Sequence, residues 1–302
     1  MISTRRSVLL SGASAALLPL LTGKARAGTD VVSIGYQKYG TLVLLKEKKF
    51  LEQTLAPQGV TVRWAQFPAG PPMLQAMMAG ALDFGQTGDL PPVFAEASKP
   101  GELICTGHEP ASGSSEAIIV PAESSILTVN DLAGKRVAVT RWSDAHWLLL
   151  AALRKHGMSF HDIRAVYLLP TAARPAFENA TVDAWAIWDP YFSAAGDRAR
   201  SIVTGNDVGT GMEFYMARRQ FAEGSPALME AIRTAVTQCD AWAQANRPEV
   251  VGLLSASTGL PPDTVARSIA KISFGLQPMT PDIVSRQRET ADIFRKEGLL
   301  PS

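Results

Sequence analysis

The chain contains few of the residues that bind metal ions or build disulfide frameworks. Its 302 residues include only two cysteines and four histidines. Cys105 lies in an apolar segment and Cys239 in a helical pattern, so we expect two buried free thiols. No histidine has the spacing to a cysteine or to another histidine that a zinc site requires. The sequence therefore predicts neither a metal site nor any other cofactor.

The chain also lacks an excess of charge of either sign. It has 29 lysines and arginines against 28 aspartates and glutamates, which gives a net charge of +1. Proteins that bind nucleic acids or anionic membranes through their electrostatic field concentrate positive charge on one surface. This sequence contains no such charge run, so we expect no nucleic-acid partner.

Long hydrophobic runs are missing as well. A membrane-spanning helix needs roughly 20 apolar residues, whereas the N-terminal apolar run covers only residues 9–21. Arg5 and Arg6 precede this run, and Ala25-Arg26-Ala27 follows it as a cleavage motif. This order is typical of an export signal, and the paired arginines resemble a twin-arginine signal. We expect residues 1–27 to be cleaved near Ala27 and the mature protein to be periplasmic, with the Sec and twin-arginine routes both open.

Motifs of hydrolases and nucleotide-binding enzymes are absent too. The sequence has neither a G-x-S-x-G nucleophile motif nor a Walker phosphate loop. Ser112, Ser114 and Ser115 offer hydroxyl groups, but no base for them can be identified. The sequence therefore predicts a protein that is not an enzyme.

Strand and helix patterns alternate along most of the chain. Strand patterns at Val31–Tyr36, 60–64 and 82–86 are separated by helical patterns. This alternation predicts an α/β fold with mostly parallel sheets flanked by helices. A second alternating unit begins after the polar segment 106–115, and the polar segment 205–211 precedes a strand that returns to the first unit. We predict two lobes with two crossings, residues 28–111 and 212–302 forming lobe 1 and residues 112–211 forming lobe 2.

Polar residues follow two strands of the first lobe at the edge where such sheets bind ligands. Gln37 follows the first strand. Thr87, Gly88 and Asp89 follow the strand at 82–86, in a turn before Pro91 begins a helix. Such a turn presents backbone N–H groups and a hydroxyl to an anionic ligand. The alternative is an ordinary strand-to-helix connection in which Asp89 caps the helix.

The second lobe repeats this arrangement at its own strand ends. Ser143 follows the strand at 136–140 and begins a helix, where its hydroxyl could either hold an anion or only cap the helix. Asp144 suits the positive end of that helix. His146 lies one turn into the same helix and is either a packed residue or a residue of the ligand site.

Three more residues of the second lobe are candidates for the ligand site. Trp142 and Trp188 lie at strand ends, where an aromatic ring could contact an apolar or cationic part of a ligand. Asp189 precedes Pro190 and could cap the next helix or hold an amine. The cleft between the lobes is therefore the predicted binding site.

Five segments of the chain match motifs of one known family. They are 34–38 (Ile-Gly-Tyr-Gln-Lys), 55–62, 67–71 (Phe-Pro-Ala-Gly-Pro), 83–92 and 182–191. Together they resemble the aliphatic-sulfonate-binding proteins of ABC importers, which belong with the nitrate- and taurine-type periplasmic binding proteins. The resemblance covers nearly the whole mature chain. It implies a two-lobed type II periplasmic binding fold, a monomer that closes on its ligand and docks on a permease in the inner membrane.

The resemblance also implies a set of ligand-binding residues. On matching motifs the anionic sulfonate would contact Gln37, Thr87, Gly88, Asp89 and Ser143, with Trp188 and Asp189 as weaker candidates. This chain departs from the family at 142–146, where Trp-Ser-Asp-Ala-His replaces a segment that usually reads Gly-Ser-Ser or Gly-Ser-Asn before Ala-His or Val-His.

The carboxylate of Asp144 affects which ligand the sequence predicts, because it could repel an anion. A like charge at about 4 Å from a sulfonate costs roughly 1 kcal/mol in water and more at a lower dielectric constant. The sequence predicts the solute-binding component of an ABC importer for a small organosulfonate. If Asp144 faces the cleft, another small anion, an amine-bearing molecule or a zwitterion becomes the alternative. A secreted enzyme on the same scaffold and a sensor subunit are further hypotheses.

Overall fold

The computed structural model describes residues 31–300, in which ten strands form two five-stranded sheets. The strands are β1 (Val31–Tyr36), β2 (Thr61–Gln66), β3 (Phe84–Gly88), β4 (Leu103–His108), β5 (Glu116–Pro121), β6 (Arg136–Val139), β7 (Arg164–Tyr167), β8 (Ala184–Trp188), β9 (Ala199–Thr204) and β10 (Glu213–Arg218). The α-helices are α1 (Thr41–Lys48), α2 (Phe50–Leu55), α3 (Gly70–Met78), α4 (Pro91–Ser98), α5 (Asp144–Lys155), α6 (Pro170–Glu178), α7 (Tyr191–Ala195), α8 (Gly205–Val208), α9 (Arg219–Gly224), α10 (Pro226–Ala245), α11 (Arg247–Thr258), α12 (Pro262–Ile269) and α13 (Pro281–Lys296).

Each sheet contains one antiparallel strand among parallel ones. The first sheet has the order β2-β1-β3-β10-β4, and β10 runs antiparallel to both of its neighbours. The second has the order β7-β6-β8-β5-β9, and β5 runs antiparallel to both of its neighbours. In both sheets the antiparallel strand is the first one after the chain crosses from the other sheet. The predicted two-lobed α/β fold with mostly parallel sheets is confirmed.

The two crossing segments pack directly against each other. The N–H of Ser112 donates to the Gly211 carbonyl at 2.9 Å. A Cβ atom on Gly113 would lie 2.6 Å from the backbone nitrogen of Asn206 and 2.7 Å from the carbonyl carbon of Gly205. Real side chains do not tolerate such distances to backbone atoms, so Gly113 permits this close approach. The lobe boundaries at 111/112 and 211/212 stay a prediction.

One hydrophobic core is shared between helices of the first and second predicted lobes. Phe94 of α4 stacks on Trp142, with ring centroids 4.6 Å apart. Phe294 of α13 is fully buried, and its ring lies 5.2 Å from that of His146. These contacts join residues from 28–111 and 212–302 to residues of 112–211. Helices α4 and α13 therefore contribute side chains to the core of the second sheet.

Both cysteines are free thiols, as the sequence predicted. Cys239 is fully buried in α10, whereas Cys105 in β4 is only half-buried. Burial raises the pKa of the Cys105 thiol to about 12, and it raises the pKa of Cys239 as well. Neither thiol is therefore a reactive thiolate near neutral pH.

The predicted export signal at residues 1–27 lies outside the described residues. Within residues 31–300, no helix is both long and apolar enough to cross a membrane. The same part of the chain contains no group of three or more histidine, cysteine, aspartate or glutamate side chains placed to hold a metal ion.

Candidate ligand-binding site

The first-lobe part of the site lies at the end of β3. Thr87 is fully buried, and its hydroxyl oxygen lies against Gly70 at the start of α3 without a hydrogen-bond partner. The side-chain amide of Gln37 donates to the Gln86 carbonyl at 3.4 Å, which places Gln37 beside β3. Asp89 follows β3 and accepts a hydrogen bond from the Gly211 N–H at 3.3 Å. The structure thus brings the predicted first-lobe residues together at one sheet edge.

The second-lobe part of the site lies at the turn between β6 and α5. Ser143 is 2% exposed, and its hydroxyl donates to the Thr140 carbonyl at 2.8 Å. This bond stabilises the turn, and the side chain makes no capping bond to α5. Trp142 adopts a φ of 66°, a left-handed conformation that non-glycine residues rarely have. That conformation turns the Trp142 indole onto Phe94 of α4 rather than into open solvent.

Asp144 extends from the second lobe onto the turn that the sequence predicted as an anion cradle. A Cβ atom added to Gly88 would overlap the Asp144 carboxylate. The backbone N–H of Leu90, just before α4, faces this carboxylate and partly offsets the rise of its pKa. One carboxylate oxygen of Asp144 is buried without a hydrogen-bond partner. Asp144 therefore faces the cleft, and its own carboxyl group fills the cradle.

A small cavity lies between the lobes at this point, and we call it the cleft cavity. Its volume is about 30 Å³, which is room for one or two water molecules. Four carboxyl side chains and two large aromatic rings are among its walls, and the described residues supply no lysine, arginine or histidine to it. Its lining consists of Tyr39, Gly40, Thr41, Gln86, Glu109, Ser112, Ser115, Glu116, Asp144, Trp188, Gly211, Met212, Glu213, Ile272 and Ser273.

The four carboxyl groups of the cleft cavity come from different elements. Glu213 begins β10 and pairs in register with Gly88, against which Asp144 lies. Glu116 begins β5 and accepts a hydrogen bond from the Thr210 hydroxyl. Glu109 follows β4 and accepts hydrogen bonds from the Tyr215 hydroxyl and from the Gly275 N–H, the latter at 2.6 Å.

Burial raises the pKa of each of these groups, and the neighbouring carboxylates raise it further. For Glu116 and Asp144 the second cause is the charge of Asp89, and for Glu213 it is the charge of Asp144. All three have a pKa well above the ordinary value of a carboxylic acid. Burial, followed by the charge of Asp240, raises the pKa of Glu109 to about 8. At neutral pH the cleft cavity therefore retains protons unless a cation replaces them.

Sequence reasoning missed three of the four groups. Glu109, Glu116 and Glu213 each lie at the end or the start of a strand, where a carboxylate usually faces water. Only the pairing of β10 with β3 and the packing of the two crossings bring them together. Their common position, next to the predicted crossing segments, was the one signal that could have drawn attention to them.

Trp188 and Asp189 have different roles in the structure. Trp188 ends β8 and lines the cleft cavity. Asp189 is fully buried outside that lining, forms an ion pair with Lys271 at 3.0 Å and accepts the Ser193 N–H at 2.8 Å. Since Lys271 compensates its charge, Asp189 serves to hold α7 against the segment that follows α12.

His146 lies in the interior of the second lobe and does not line the cleft cavity. It is fully buried, and its ring contacts the rings of Phe160, Tyr167 and Phe294 at centroid distances of 5.0, 5.8 and 5.2 Å. Its Nδ1 accepts the Trp142 N–H at 3.1 Å, which supports the unusual turn before α5. Burial lowers the pKa of His146 to about 3, so the ring is neutral. Of the two alternatives for His146, a packed residue or a site residue, the structure therefore supports the packed residue.

A larger groove lies elsewhere on the molecule. It has a volume of about 680 Å³ between α4 and α13, and it is lined by apolar residues with three arginines and a glutamate. None of the predicted site residues lines it. We regard the smaller cleft cavity as the site because the strand ends of both lobes converge there, as ligand sites of open α/β sheets do.

Two sheets, two crossings and a polar cleft at the strand ends define a two-lobed binding protein. The chain belongs to the NMT1/THI5-like family, which matches residues 55–249. The alkanesulfonate-binding protein SsuA from Xanthomonas axonopodis pv. citri, bound to MOPS, is 38% identical with a TM-score of 0.87, over 91% of this chain and 96% of that one. The periplasmic aliphatic sulphonate binding protein SsuA from Escherichia coli is 38% identical with a TM-score of 0.81, over 91% of this chain and 90% of that one.

A likeness to an enzyme extends to the fold alone. The desulfurization enzyme DSZB is 17% identical with a TM-score of 0.63, over 90% of this chain and 93% of that one. At this identity the likeness carries no information about catalysis. The much closer likeness to the two SsuA proteins is to binding proteins.

Proposed function

We propose that this protein is the periplasmic solute-binding component of an ABC importer, which binds a small organosulfonate between its lobes. The observation that carries the proposal is the contact of Asp144 with Gly88, because it shows the strand ends of the two lobes meeting at one polar cavity. The close relatives, whose names refer to sulfonates, supply the ligand class. In this role the protein is a monomer that carries out no reaction and presents its closed form to a permease.

Ligand entry requires the lobes to separate. The cleft cavity has about 30 Å³, whereas sites for organic ligands usually have about 300 Å³ or more. Separation moves Asp144 away from Gly88 and exposes Phe94 and Trp142, which stack across the lobes. The ligand therefore shifts an equilibrium between an open form that it can enter and a closed form that it stabilises.

Gly88→Ala should weaken ligand binding by about tenfold or more. The added methyl group overlaps the Asp144 carboxylate, so the lobes cannot reach the closed arrangement without displacing it. Calorimetry in phosphate buffer with ethane-, propane- and butanesulfonate, MOPS, nitrate and sulfate measures the effect, after the protein has been unfolded and refolded to remove bound ligand. Gly224→Ala is the matched control, since a Cβ atom there meets nothing within 4 Å.

Small-angle scattering of the same samples tests closure directly. The radius of gyration of the wild-type protein should decrease when a sulfonate is added, and that of Gly88→Ala should decrease less. Absence of binding by every sulfonate would contradict the ligand class. Binding without any change in the radius of gyration would contradict the closure mechanism.

A further inference from the structure

The large groove between α4 and α13 has no part in the proposed function. Its volume is about 680 Å³, within the range of about 300 to 1,000 Å³ that is usual for sites of organic ligands. Among the described residues, the lining of the groove and the lining of the cleft cavity have no member in common. A molecule bound in the groove would therefore be separate from a solute bound in the cleft.

The floor of the groove is apolar. It lies over β4, the edge strand of the first sheet, where Leu103 and Cys105 point to the same face because side chains alternate along a strand. The Cys105 thiol donates to the sulfur of Met216 on β10 at 3.3 Å, so these two side chains form a continuous surface. Contact of this surface with a hydrocarbon chain is favoured by the hydrophobic effect.

The walls of the groove come from two helices. On α4, Val93 and Ala97 are four residues apart and lie on the same face. On α13, intervals of three and four residues place one row of side chains on the groove face, namely Val284, Gln287, Arg288, Ala291 and Arg295. This row extends over about 16 Å, since each helical residue adds about 1.5 Å. The wall therefore fits an elongated occupant, such as one extended alkyl chain.

Positive charge predominates in the lining of the groove. Arg219, Arg288 and Arg295 line it, whereas Glu96 is its one acidic residue in the part of the chain that the structure describes. Glu96 accepts the Gly101 N–H at 3.1 Å. The lining therefore carries a net positive charge next to an apolar floor, which is complementary to an anion with an apolar tail.

Arg288 is the arginine that is available to such an anion. It is exposed, and its guanidinium forms neither a hydrogen bond nor an ion pair within residues 31–300. Arg219 and Arg295 each pair with an exposed acidic residue of their own helix, and surface pairs of this kind contribute little stability. A planar guanidinium donates two parallel hydrogen bonds to the oxygen atoms of a carboxylate, and the oxygens of a sulfonate or sulfate accept in the same way.

We propose that the groove binds a free, single-chain amphipathic anion, an alkyl sulfonate, sulfate or carboxylate. The alkyl chain lies along α13 over Leu103, Cys105 and Met216, and the head group accepts hydrogen bonds from Arg288. A small anion would leave the apolar floor exposed to water, and a neutral hydrocarbon would give Arg288 no acceptor. This second site goes beyond the proposed function, because it shares no residue with the cleft cavity.

The length of the alkyl chain provides the first test. Hexane-, octane- and decanesulfonate are titrated by calorimetry into the refolded wild-type protein in phosphate buffer, below their micelle-forming concentrations and with saturating ethanesulfonate to occupy the cleft. Affinity should increase by about tenfold with each two added methylene groups, because each is buried against the floor. Equal affinities for the three compounds would overturn the proposal.

Competition and charge provide the second test. The affinity for decanesulfonate should be the same with and without ethanesulfonate, and displacement by ethanesulfonate would place the chain in the cleft and overturn the second site. Decanoate should bind like decanesulfonate, whereas decyltrimethylammonium, with the same chain and the opposite charge, should bind at least about tenfold more weakly. Equal binding of this cation would contradict the role of the arginines.

Two substitutions test the proposed position of the ligand. Arg288→Gln should weaken decanesulfonate binding by about threefold to tenfold, because it removes a charged hydrogen-bond donor. Ala97→Trp should weaken it by at least about tenfold, because an indole fills the groove beside α4. The controls are Arg164→Gln and Ala266→Trp, which make the same changes at exposed positions outside the groove and should leave the affinity unchanged. Wild-type affinity in both groove variants would overturn the proposal.

Vesicles distinguish a free amphiphile from a membrane lipid. The wild-type protein is mixed with vesicles of phosphatidylglycerol and phosphatidylethanolamine and separated by flotation. We expect the protein to remain in the unbound fraction. Flotation with the vesicles would overturn the assignment of the groove to a free molecule.

Discussion

Raising the pH from about 6.5 to about 8 should lower the unfolding free energy of the ligand-free protein by at least about 2 kcal/mol. The carboxyl groups of the cleft cavity cause this loss. Burial and the charge of Asp240 raise the pKa of Glu109 to about 8, and Glu116, Asp144 and Glu213 also have strongly raised pKa values. In the unfolded chain these groups titrate near pH 4.

The direction of the effect follows from the number of protons that each state binds. Between about pH 6.5 and 8 the folded protein still holds protons that the unfolded chain has lost, so raising the pH favours unfolding by about 1.4 kcal/mol per unit and per retained proton. Stability from these groups is fully present below the unfolded pKa and is lost as the pH rises through the folded pKa. His146 acts in the opposite direction only below about pH 6.5, because burial lowers its pKa to about 3.

Urea denaturation followed by tryptophan fluorescence measures this pH dependence. Glu213→Gln should reduce the slope and raise the stability at pH 8, since it removes one of the crowded carboxyl groups. Its exposed counterpart Glu123→Gln should reproduce the wild-type profile. A wild-type stability that does not fall between pH 6.5 and pH 8 would contradict the raised pKa values of the carboxyl groups of the cleft cavity.

Gly113→Ala should destabilise the protein by about 1 to 3 kcal/mol. A Cβ atom at this position would lie 2.6 Å from the backbone nitrogen of Asn206 and 2.7 Å from the carbonyl carbon of Gly205, and backbone atoms cannot move aside as a flexible side chain can. The two crossings must separate to admit the methyl group. Since these crossings are the predicted connections between the lobes, we also expect weaker ligand binding from this variant.

Gly252→Ala distinguishes a steric effect from the general effect of replacing glycine. Gly252 lies inside α11, and a Cβ atom there meets nothing within 4 Å. Alanine should therefore stabilise the helix by up to about 1 kcal/mol. Equal unfolding free energies for the two variants would contradict the close packing of the crossings.

The fold could be predicted from the sequence because its signals are local. The apolar residues of β1 give its bounds without error, and Gly80 and Pro91 mark the segments on either side of β3. The helical pattern between the first two strands forms two helices, because Lys49 adopts a φ of 58° between α1 and α2. A lysine gives no signal of a left-handed conformation, which glycine usually provides.

The site could be predicted only in part. Thr87, Gly88 and Asp89 were identifiable because a strand end before a helix start has a recognisable pattern. The direction of the Asp144 side chain was left open, since both a helix-end role and a cleft role agree with its position in sequence. Glu213 required the register of β10 against β3, which depends on contacts between residues more than a hundred positions apart. Long-range pairing of this kind leaves no trace in a local pattern.

The contact between Asp144 and Gly88 belongs to the closed form, so it stabilises the liganded protein and also sets how much of the empty protein is closed. A molecule that has closed without a ligand cannot receive a solute, and only the open fraction can. The apparent dissociation constant rises in inverse proportion to that fraction, so each tenfold decrease in the receptive fraction weakens apparent binding about tenfold. The sensitivity of such a receptor is then set by the ease with which Asp144 leaves Gly88 as well as by the contacts that the solute makes.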